Sequence, residues 1–262
     1  MTLTPERIRH WAQYLDAGLR EGRELDRITS TDPGLSIEDA YRIQAEGIHL
    51  RQARGEKVIG MKMGLTSKAK REQMGLHSPC YGVLTDRMEV RGGSFGLEGT
   101  IHPKIEPEIA FHTCRELAGQ VTREQVLEAC DWVSSAMEIL DSRYVGFKYF
   151  SLPDVVADNS SSAWYVLGEP LRDIRSLKLD QLPMRMSVNG AVAQQALSSE
   201  ISGHPVDSLV QLCALLHAEG RSLPAGSLVL AGAATVAVQL EAGQEIRLDV
   251  EGLPPTVVRV TG

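Results

Sequence analysis

The residues in this chain best suited to chemistry are acidic side chains set inside apolar runs. Lys104-Ile105-Glu106-Pro107-Glu108-Ile109-Ala110-Phe111 is one such run, and Met137-Glu138-Ile139-Leu140-Asp141 is another. On a strand, side chains two positions apart share a face, so Glu106 and Glu108 point one way while Ile105, Ile109 and Phe111 point the other. Glu138, flanked by Met137, Ile139 and Leu140, fits a buried position better than a wet edge. A Glu-x-Glu pair alone more often marks the solvated face of a strand. Three carboxylates on half-buried strands repel one another and lose hydration unless a hard divalent cation sits between them. The residue types therefore point to a Mg²⁺ or Mn²⁺ site on Glu106, Glu108 and Glu138. Spacing leaves open whether the three converge.

Other segments offer partners for such a site. Lys62 lies between methionines in Gly60-Met61-Lys62-Met63-Gly64-Leu65-Thr66-Ser67; it is either a strand-edge lysine snorkelling to water or an ammonium that offsets charge on a substrate oxygen. Asp158 and Ser160 fall in Val155-Val156-Ala157-Asp158-Asn159-Ser160-Ser161-Ser162, a polar cluster that can orient a ligand or close an Asx-type turn on itself. In Asp141-Ser142-Arg143-Tyr144 the arginine can grip a carboxylate bidentately or pair locally with Asp141. His77 and Cys80 sit in Gly75-Leu76-His77-Ser78-Pro79-Cys80-Tyr81-Gly82, a loop able to cover a site. His204, between Gly203 and Pro205, reads as a helix cap. No nucleophile elbow, phosphate loop or dinucleotide glycine pattern stands in a suitable context, which argues against nucleotide cofactors.

The elements that must position these residues follow from periodicity and capping. Thr4-Pro5 starts a helix over 5–21 with Ile8, Trp11, Leu15 and Leu19 at helical spacing. Ser36-Ile37-Glu38-Asp39 opens a second helix that ends before Gly55. A short strand at 58–63 and a short helix at 68–74 complete a helix-rich start. Beyond Pro79, β-branched runs punctuated by Gly, Pro and Asn predict strands at 106–113, 132–141, 162–167, 227–232, 234–240, 244–250 and 255–260. Asn189-Gly190 is a hairpin turn. Helices are expected after Thr122 and from Pro205 to Glu219. The class is α+β: a small N-terminal helical lobe, 1–78, packed on a sheet-rich metal-binding lobe, 79–262.

The 262 residues are 43% hydrophobic and 23% charged, enough for a sizeable core, and the net charge of -7 with no basic cluster argues against nucleic acid. Small molecules are the expected partners. The scattered Cys80, Cys114, Cys130 and Cys213 lack zinc or disulfide spacing and fit reduced thiols. With neither a signal-peptide pattern at the start nor a membrane-length apolar run, a cytoplasmic location is expected.

Taken together, Gly60 to Ser67, Glu106 to Phe111, Glu138 to Arg143, Val156 to Ser160 and Gly203-His204-Pro205 resemble the hydratase and decarboxylase branch of the fumarylacetoacetate hydrolase superfamily. The resemblance spans nearly the whole chain and implies that Glu106, Glu108 and Glu138 bind Mg²⁺ or Mn²⁺. It further implies that Lys62, Asp158 and Ser160 act at the site. Glu72 to Pro79 looks like the decarboxylases, whereas the sister hydratases usually carry aspartate where His77 stands. Asp141 to Tyr144 with Phe147-Lys148 is decarboxylase-like too, and Arg143, Lys148 and His77 are the expected grips on a dicarboxylate. Met61, Met63 and the stretch Gly232 to Val236 depart from the pattern. The implied reaction is loss of CO₂ from 2-oxo-3-hexenedioate to give 2-hydroxypenta-2,4-dienoate in meta-cleavage breakdown of aromatic compounds. The alternatives are hydration of 2-hydroxypenta-2,4-dienoate, hydrolysis of an acylpyruvate, and a non-catalytic subunit supporting a partner hydratase. A homo-oligomer and a complex with that hydratase are expected.

Overall fold

The computed structural model describes residues 2–66, 79–147 and 151–262. The helix expected at 68–74 and the site candidates His77 and Lys148 lie outside the described residues. Helix α1 (Pro5–Glu21) starts where Thr4 Oγ1 accepts from the Arg7 N–H and stops at Gly22, whose left-handed conformation suits a glycine. Helix α2 (Ile37–Ala53) is capped by Ser36, which accepts from the Asp39 N–H. The two helices bury Ile8, Trp11, Leu15, Ala40 and Ile43 in one apolar cluster with Tyr144, Leu152 and Val156.

The remaining elements are mostly strands: β1 (Val58–Gly64), β2 (Cys80–Thr85), β3 (Ser94–Gly96), β4 (Lys104–Thr113), helix α3 (Arg123–Ala129), β5 (Cys130–Leu140), helix α4 (Leu152–Ala157) and β6 (Ser162–Leu167). Then follow β7 (Pro183–Val188), β8 (Ala191–Leu197), helix α5 (Pro205–Ala218), β9 (Leu228–Leu230), β10 (Val238–Gln239), β11 (Glu245–Val250) and β12 (Thr256–Thr261). One sheet runs β2-β1-β9-β4-β5-β6 with β10 also on β4; the other runs β3-β12-β11-β7-β8. Strands β1 and β9 are parallel, while β4 and β5 pair antiparallel over their whole length. The edges of the first sheet approach each other through a bridge between Glu89 and Tyr165, reinforced by the Val90 N–H on the Tyr165 carbonyl at 2.9 Å. That sheet is therefore curled almost into a barrel.

Alternation along the strands sorts the side chains. Ile105, Ile109 and Phe111 on β4, with Val133, Met137 and Ile139 on β5, face the second sheet and join Met186, Ile246, Leu248 and Val258 in the largest core. The opposite face, inside the curl, carries Ala110, Ala136, Leu84, Tyr165 and Leu230. Burying this much apolar surface from both faces is what offsets the chain entropy of a sheet built on distant pairings.

Most expected elements are present; β2, which takes in Cys80 from the expected loop, and β3 are additional strands, and three further differences stand out. Strand β1 precedes the lobe boundary expected at residue 78 yet sits inside the large sheet between β2 and β9. The strand expected at 234–240 shrinks to β10, because Gly232, at φ 105°, turns its N–H away from the ladder to a carboxylate. The apolar residues before Asp158, read as part of a loop, form the short helix α4, capped by Ser151 and started by Pro153 at its second position. The Asn189-Gly190 turn is as expected, with both φ values positive at 50° and 81°.

Gly60 marks where backbone meets backbone: a Cβ there would lie 1.8 Å from the Leu228 carbonyl oxygen on β9. Gly60→Ala should therefore destabilise the protein by about 3 kcal/mol, through strain in the β1–β9 pairing. At roughly 2–4 °C per kcal/mol for a chain of this size, thermal melts should show a Tm lower by about 6–12 °C. An unchanged Tm would mean that the two strands are not held this close.

Candidate active site

Pairing β4 with β5 places Glu106 directly opposite Glu138. Glu108 lies two residues along the same face, and one carboxylate oxygen from each of the three comes within 4.8 Å of the others. Glu108 and Glu138 are fully buried and Glu106 half-buried. At an effective dielectric near 20, each ionised pair at this spacing repels by roughly 3–4 kcal/mol. Burial raises the Glu108 carboxyl well above its ordinary value, and Glu138 and Glu106 raise it further, against the opposing pull of Lys62 and of the Gly232 N–H. Glu108 Oε2 accepts from that N–H at 2.7 Å, whereas its Oε1 is buried with no hydrogen-bond partner among the described residues. A sequestered, unpartnered carboxylate oxygen on one member of a buried acidic trio is what a metal-ligating set provides. All donors are hard oxygens, which select Mg²⁺, Mn²⁺ or Ca²⁺ over softer ions.

Lys62 stands on β1 with its side chain on the same interior face, opposite Gly82 of β2 and Leu230 of β9. Its Nζ donates to Glu138 Oε2 at 3.1 Å and only 3% of its side chain is exposed. Burial alone would lower the lysine, but Glu138, Glu106, Cys80 and Glu108 outweigh it and leave the ammonium above its ordinary value. Lys62 is thus a buried cation held protonated by the carboxylates beside it, and the strand-edge alternative does not apply. It offsets one negative charge; a divalent cation would offset two more.

The turn after α4 supplies hydroxyls. Ser162 Oγ donates to Glu138 Oε1 at 2.6 Å, so both oxygens of Glu138 are engaged. Ser160 Oγ lies 3.2 Å from the Tyr81 carbonyl and 3.4 Å from the Cys80 thiol. Cys80 is near Lys62, since a Cβ placed on Gly64 would lie 3.1 Å from Cys80 Sγ and 3.8 Å from Lys62 Nζ. Asn159, Ser160 and Ser161 all have positive φ, between 50° and 57°. Three consecutive left-handed residues without a glycine are costly, about 1–2 kcal/mol each. They are held from outside: Asn159 accepts from the Val83 N–H at 2.8 Å and donates to its carbonyl at 3.0 Å, in place of an Asx turn on its own backbone.

Asp158 and Arg143 are brought together but not onto the carboxylate cluster. The Arg143 guanidinium donates to the Asp158 carboxylate and to the Asp158 carbonyl. It also donates to the Asp141 carbonyl at 2.9 Å. The local Asp141 ion pair is therefore replaced by one across the turn, and both side chains are buried. Burial lifts the Asp158 carboxyl to about 6 despite the attraction of Arg143. As placed, this pair fixes the turn that carries Ser160 and leaves Arg143 no free donor fork for a substrate. His204 is a cap, accepting from the Val206 N–H at 3.1 Å.

Sequence reasoning missed Ser162 and Gly232. Ser162 opens a correctly expected strand, but its register partner is Leu140, past an irregularity in the ladder, and only the side-chain hydrogen bond shows that it reaches Glu138. Gly232 offered a signal in its isolation between apolar residues, since a glycine inside a strand pattern often marks a backbone turned toward a ligand or another chain segment.

Residues 84–261 match the family model described as fumarylacetoacetate (FAA) hydrolase C-terminal. The chain belongs to the fumarylacetoacetate hydrolase superfamily, in its hydratase and decarboxylase branch. It is 39% identical over 254 residues to a 4-oxalocrotonate decarboxylase of Pseudomonas sp. (strain CF600), covering 96% of each chain. It is equally 39% identical over 253 residues to a 2-hydroxyhexa-2,4-dienoate hydratase of Comamonas testosteroni, covering 95% of this chain and 96% of the relative. A solved 4-oxalocrotonate decarboxylase from Pseudomonas putida G7, complexed with magnesium and adipate, superposes with a TM-score of 0.95 at 36% identity, over 99% of both chains. Among the described residues, no helix is long and apolar enough to cross a membrane.

The trio sets a clear expectation for stability. A carboxyl whose folded value lies above its unfolded one, ordinarily 4.5 for Glu108, contributes stability below that pH and loses it as pH rises through the folded value. In chelator, the Tm should therefore fall as pH climbs above the ordinary glutamate range, and Glu108→Gln should flatten that fall. Magnesium at about 100 times its Kd should stabilise the parent by about 2.7 kcal/mol and leave Glu108→Gln unmoved. Equal stabilisation of both proteins would place the cation elsewhere.

Proposed function

We propose that this chain is a carbon–carbon lyase that decarboxylates 2-oxo-3-hexenedioate (4-oxalocrotonate) to 2-hydroxypenta-2,4-dienoate, with Mg²⁺ or Mn²⁺ held by Glu106, Glu108 and Glu138. The observation that carries the proposal is the buried carboxylate trio with its unsatisfied Glu108 oxygen and adjoining lysine, in a chain alike over its full length to decarboxylases of this substrate. The adipate in the solved relative is a six-carbon dicarboxylate, the same length as the proposed substrate.

The substrate is a vinylogous β-keto acid. Its C5–C6 bond breaks, CO₂ departs, and the electron pair moves through the C3–C4 double bond onto the 2-oxygen as a dienolate. When bound, the cation supplies Lewis acidity toward that oxygen. Lys62, protonated and desolvated beside Glu138, adds positive field where the charge grows and can deliver the proton that makes the 2-hydroxy product. Ser162 holds Glu138 in place, and Ser160 with Cys80 lines the approach from the β2 side. Asp158 and Arg143 keep the strained turn in register. With Arg143 engaged in this way, we assign the distal carboxylate to Lys148 and His77, on sequence grounds. No nucleophile or organic cofactor is required.

A second reading is hydration of a 2-hydroxydienoate, which the equal identity to the Comamonas testosteroni hydratase favours. Association with a partner hydratase belongs to either reading.

Purified protein with Mg²⁺ should release one CO₂ per 2-oxo-3-hexenedioate, followed by trapped carbonate or by loss of the substrate chromophore. Glu106→Gln should abolish release, and Lys62→Met should cut kcat by about 10²–10³-fold with KM little changed. Water addition to 2-hydroxypenta-2,4-dienoate without CO₂ from the dicarboxylate would instead make this chain a hydratase.

A further inference from the structure

A small cavity lies apart from the carboxylate trio, between α1, α2 and the turn after α4. It has a volume of about 40 Å³, and its wall includes Asp16, Gly47, Arg51, Arg143, Asp158 and Asn159. One water needs roughly 10–15 Å³ on this measure, so the space suits three or four non-hydrogen atoms.

Arg51 is the unusual group on this wall. The residue is 8% exposed, and among the described residues its guanidinium has neither a hydrogen bond nor an ion pair. The carboxylates nearby are already engaged. Both oxygens of Asp16 accept from Arg54, at 2.6 and 2.8 Å. Asp158 is held by Arg143, and Glu56 accepts from Thr85 Oγ1 at 2.6 Å. Asp16, Asp158 and Glu56 thus equal Arg51, Arg54 and Arg143 in number, yet each of these carboxylates is taken up by a partner other than Arg51. Burial first, and Arg143 next, pull the Arg51 guanidinium down to about 10. A buried cation beside an open volume, with no anion in direct contact, can take one there, and a planar guanidinium fork matches two oxygens of one anion.

We propose that this cavity binds a small carboxylate-type oxyanion, of the size of formate, acetate or bicarbonate, on the free guanidinium of Arg51. The site does not depend on the decarboxylation proposed above. Arg143 adds positive potential, and the bound anion ties α1 and α2 to the turn that carries Asn159 and Ser160.

The test is a formate titration of the full chain loaded with magnesium, followed by thermal melts and by the ¹³C line width of formate, with bicarbonate, acetate and chloride run in parallel. Formate should raise the Tm saturably, by about 5–11 °C at 100 times its Kd, and chloride should not match it. Bicarbonate binding more tightly than acetate would identify an inorganic occupant, and the reverse order an organic one. The rise should persist in Glu106→Gln, which separates this site from the metal centre. It should vanish in Arg51→Met and in Gly47→Leu. The second variant only fills the cavity, since among the described residues nothing beyond its own helix backbone lies within 4 Å of where a Gly47 Cβ would stand. No saturable rise in the parent, a rise kept by both cavity variants, or a rise lost in Glu106→Gln would overturn the proposal.

Discussion

Glu106 and Glu138 are register partners on adjacent antiparallel strands, and Glu108 follows two residues on, so their mutual repulsion is built into the pairing of β4 with β5. Neither strand can turn its carboxylates outward. A shift by one residue would send Ile105, Ile109 and Phe111 into the curl and the glutamates into the core between the sheets. The hydrophobic pattern that stabilises the sheet therefore forces three acids together, and the surroundings are arranged to make that tolerable. Lys62 comes from β1, Ser162 from the start of β6, and the Gly232 N–H from a strand that gives up its own ladder to supply it.

The helical lobe bears on the same site through one turn. Asn159, Ser160 and Ser161 are held in conformations that side-chain-bearing residues avoid, and strain of this kind persists only where the surroundings over-determine it. Here they do: Asn159 is clamped to Val83 on β2, while the Asp158–Arg143 pair closes the turn from the helix side. A buried ion pair contributes little net stability, because desolvation of both ions offsets their attraction. What it does contribute is a single geometry for the serines that follow.

A decarboxylase and a hydratase match this chain at the same 39% identity over nearly its whole length. In the decarboxylation proposed above, the trio and Lys62 serve the 2-oxygen, where a hard cation and a nearby ammonium offset growing negative charge. The same groups would serve the hydration given as the second reading, so the two readings part at the far carboxylate, assigned above to His77 and Lys148.

Much of this was legible in the chain itself, because it rests on local periodicity. Alternation placed Glu106 and Glu108 on one strand face and the isoleucines on the other; capping residues marked α1, α2 and α5; Asn189-Gly190 marked its hairpin. The oxygen-only donor types by themselves select a hard divalent cation. Tertiary structure decided the rest, since pairing register and long-range contact leave no local trace. It set Glu138 opposite Glu106 and brought Lys62 from 76 residues away to Glu138. It also turned Arg143 from an apparent substrate grip into the partner of Asp158, and it placed β1 in the large sheet. A side chain's face is written in its neighbours along the chain, whereas what lies across from it depends on how distant strands align.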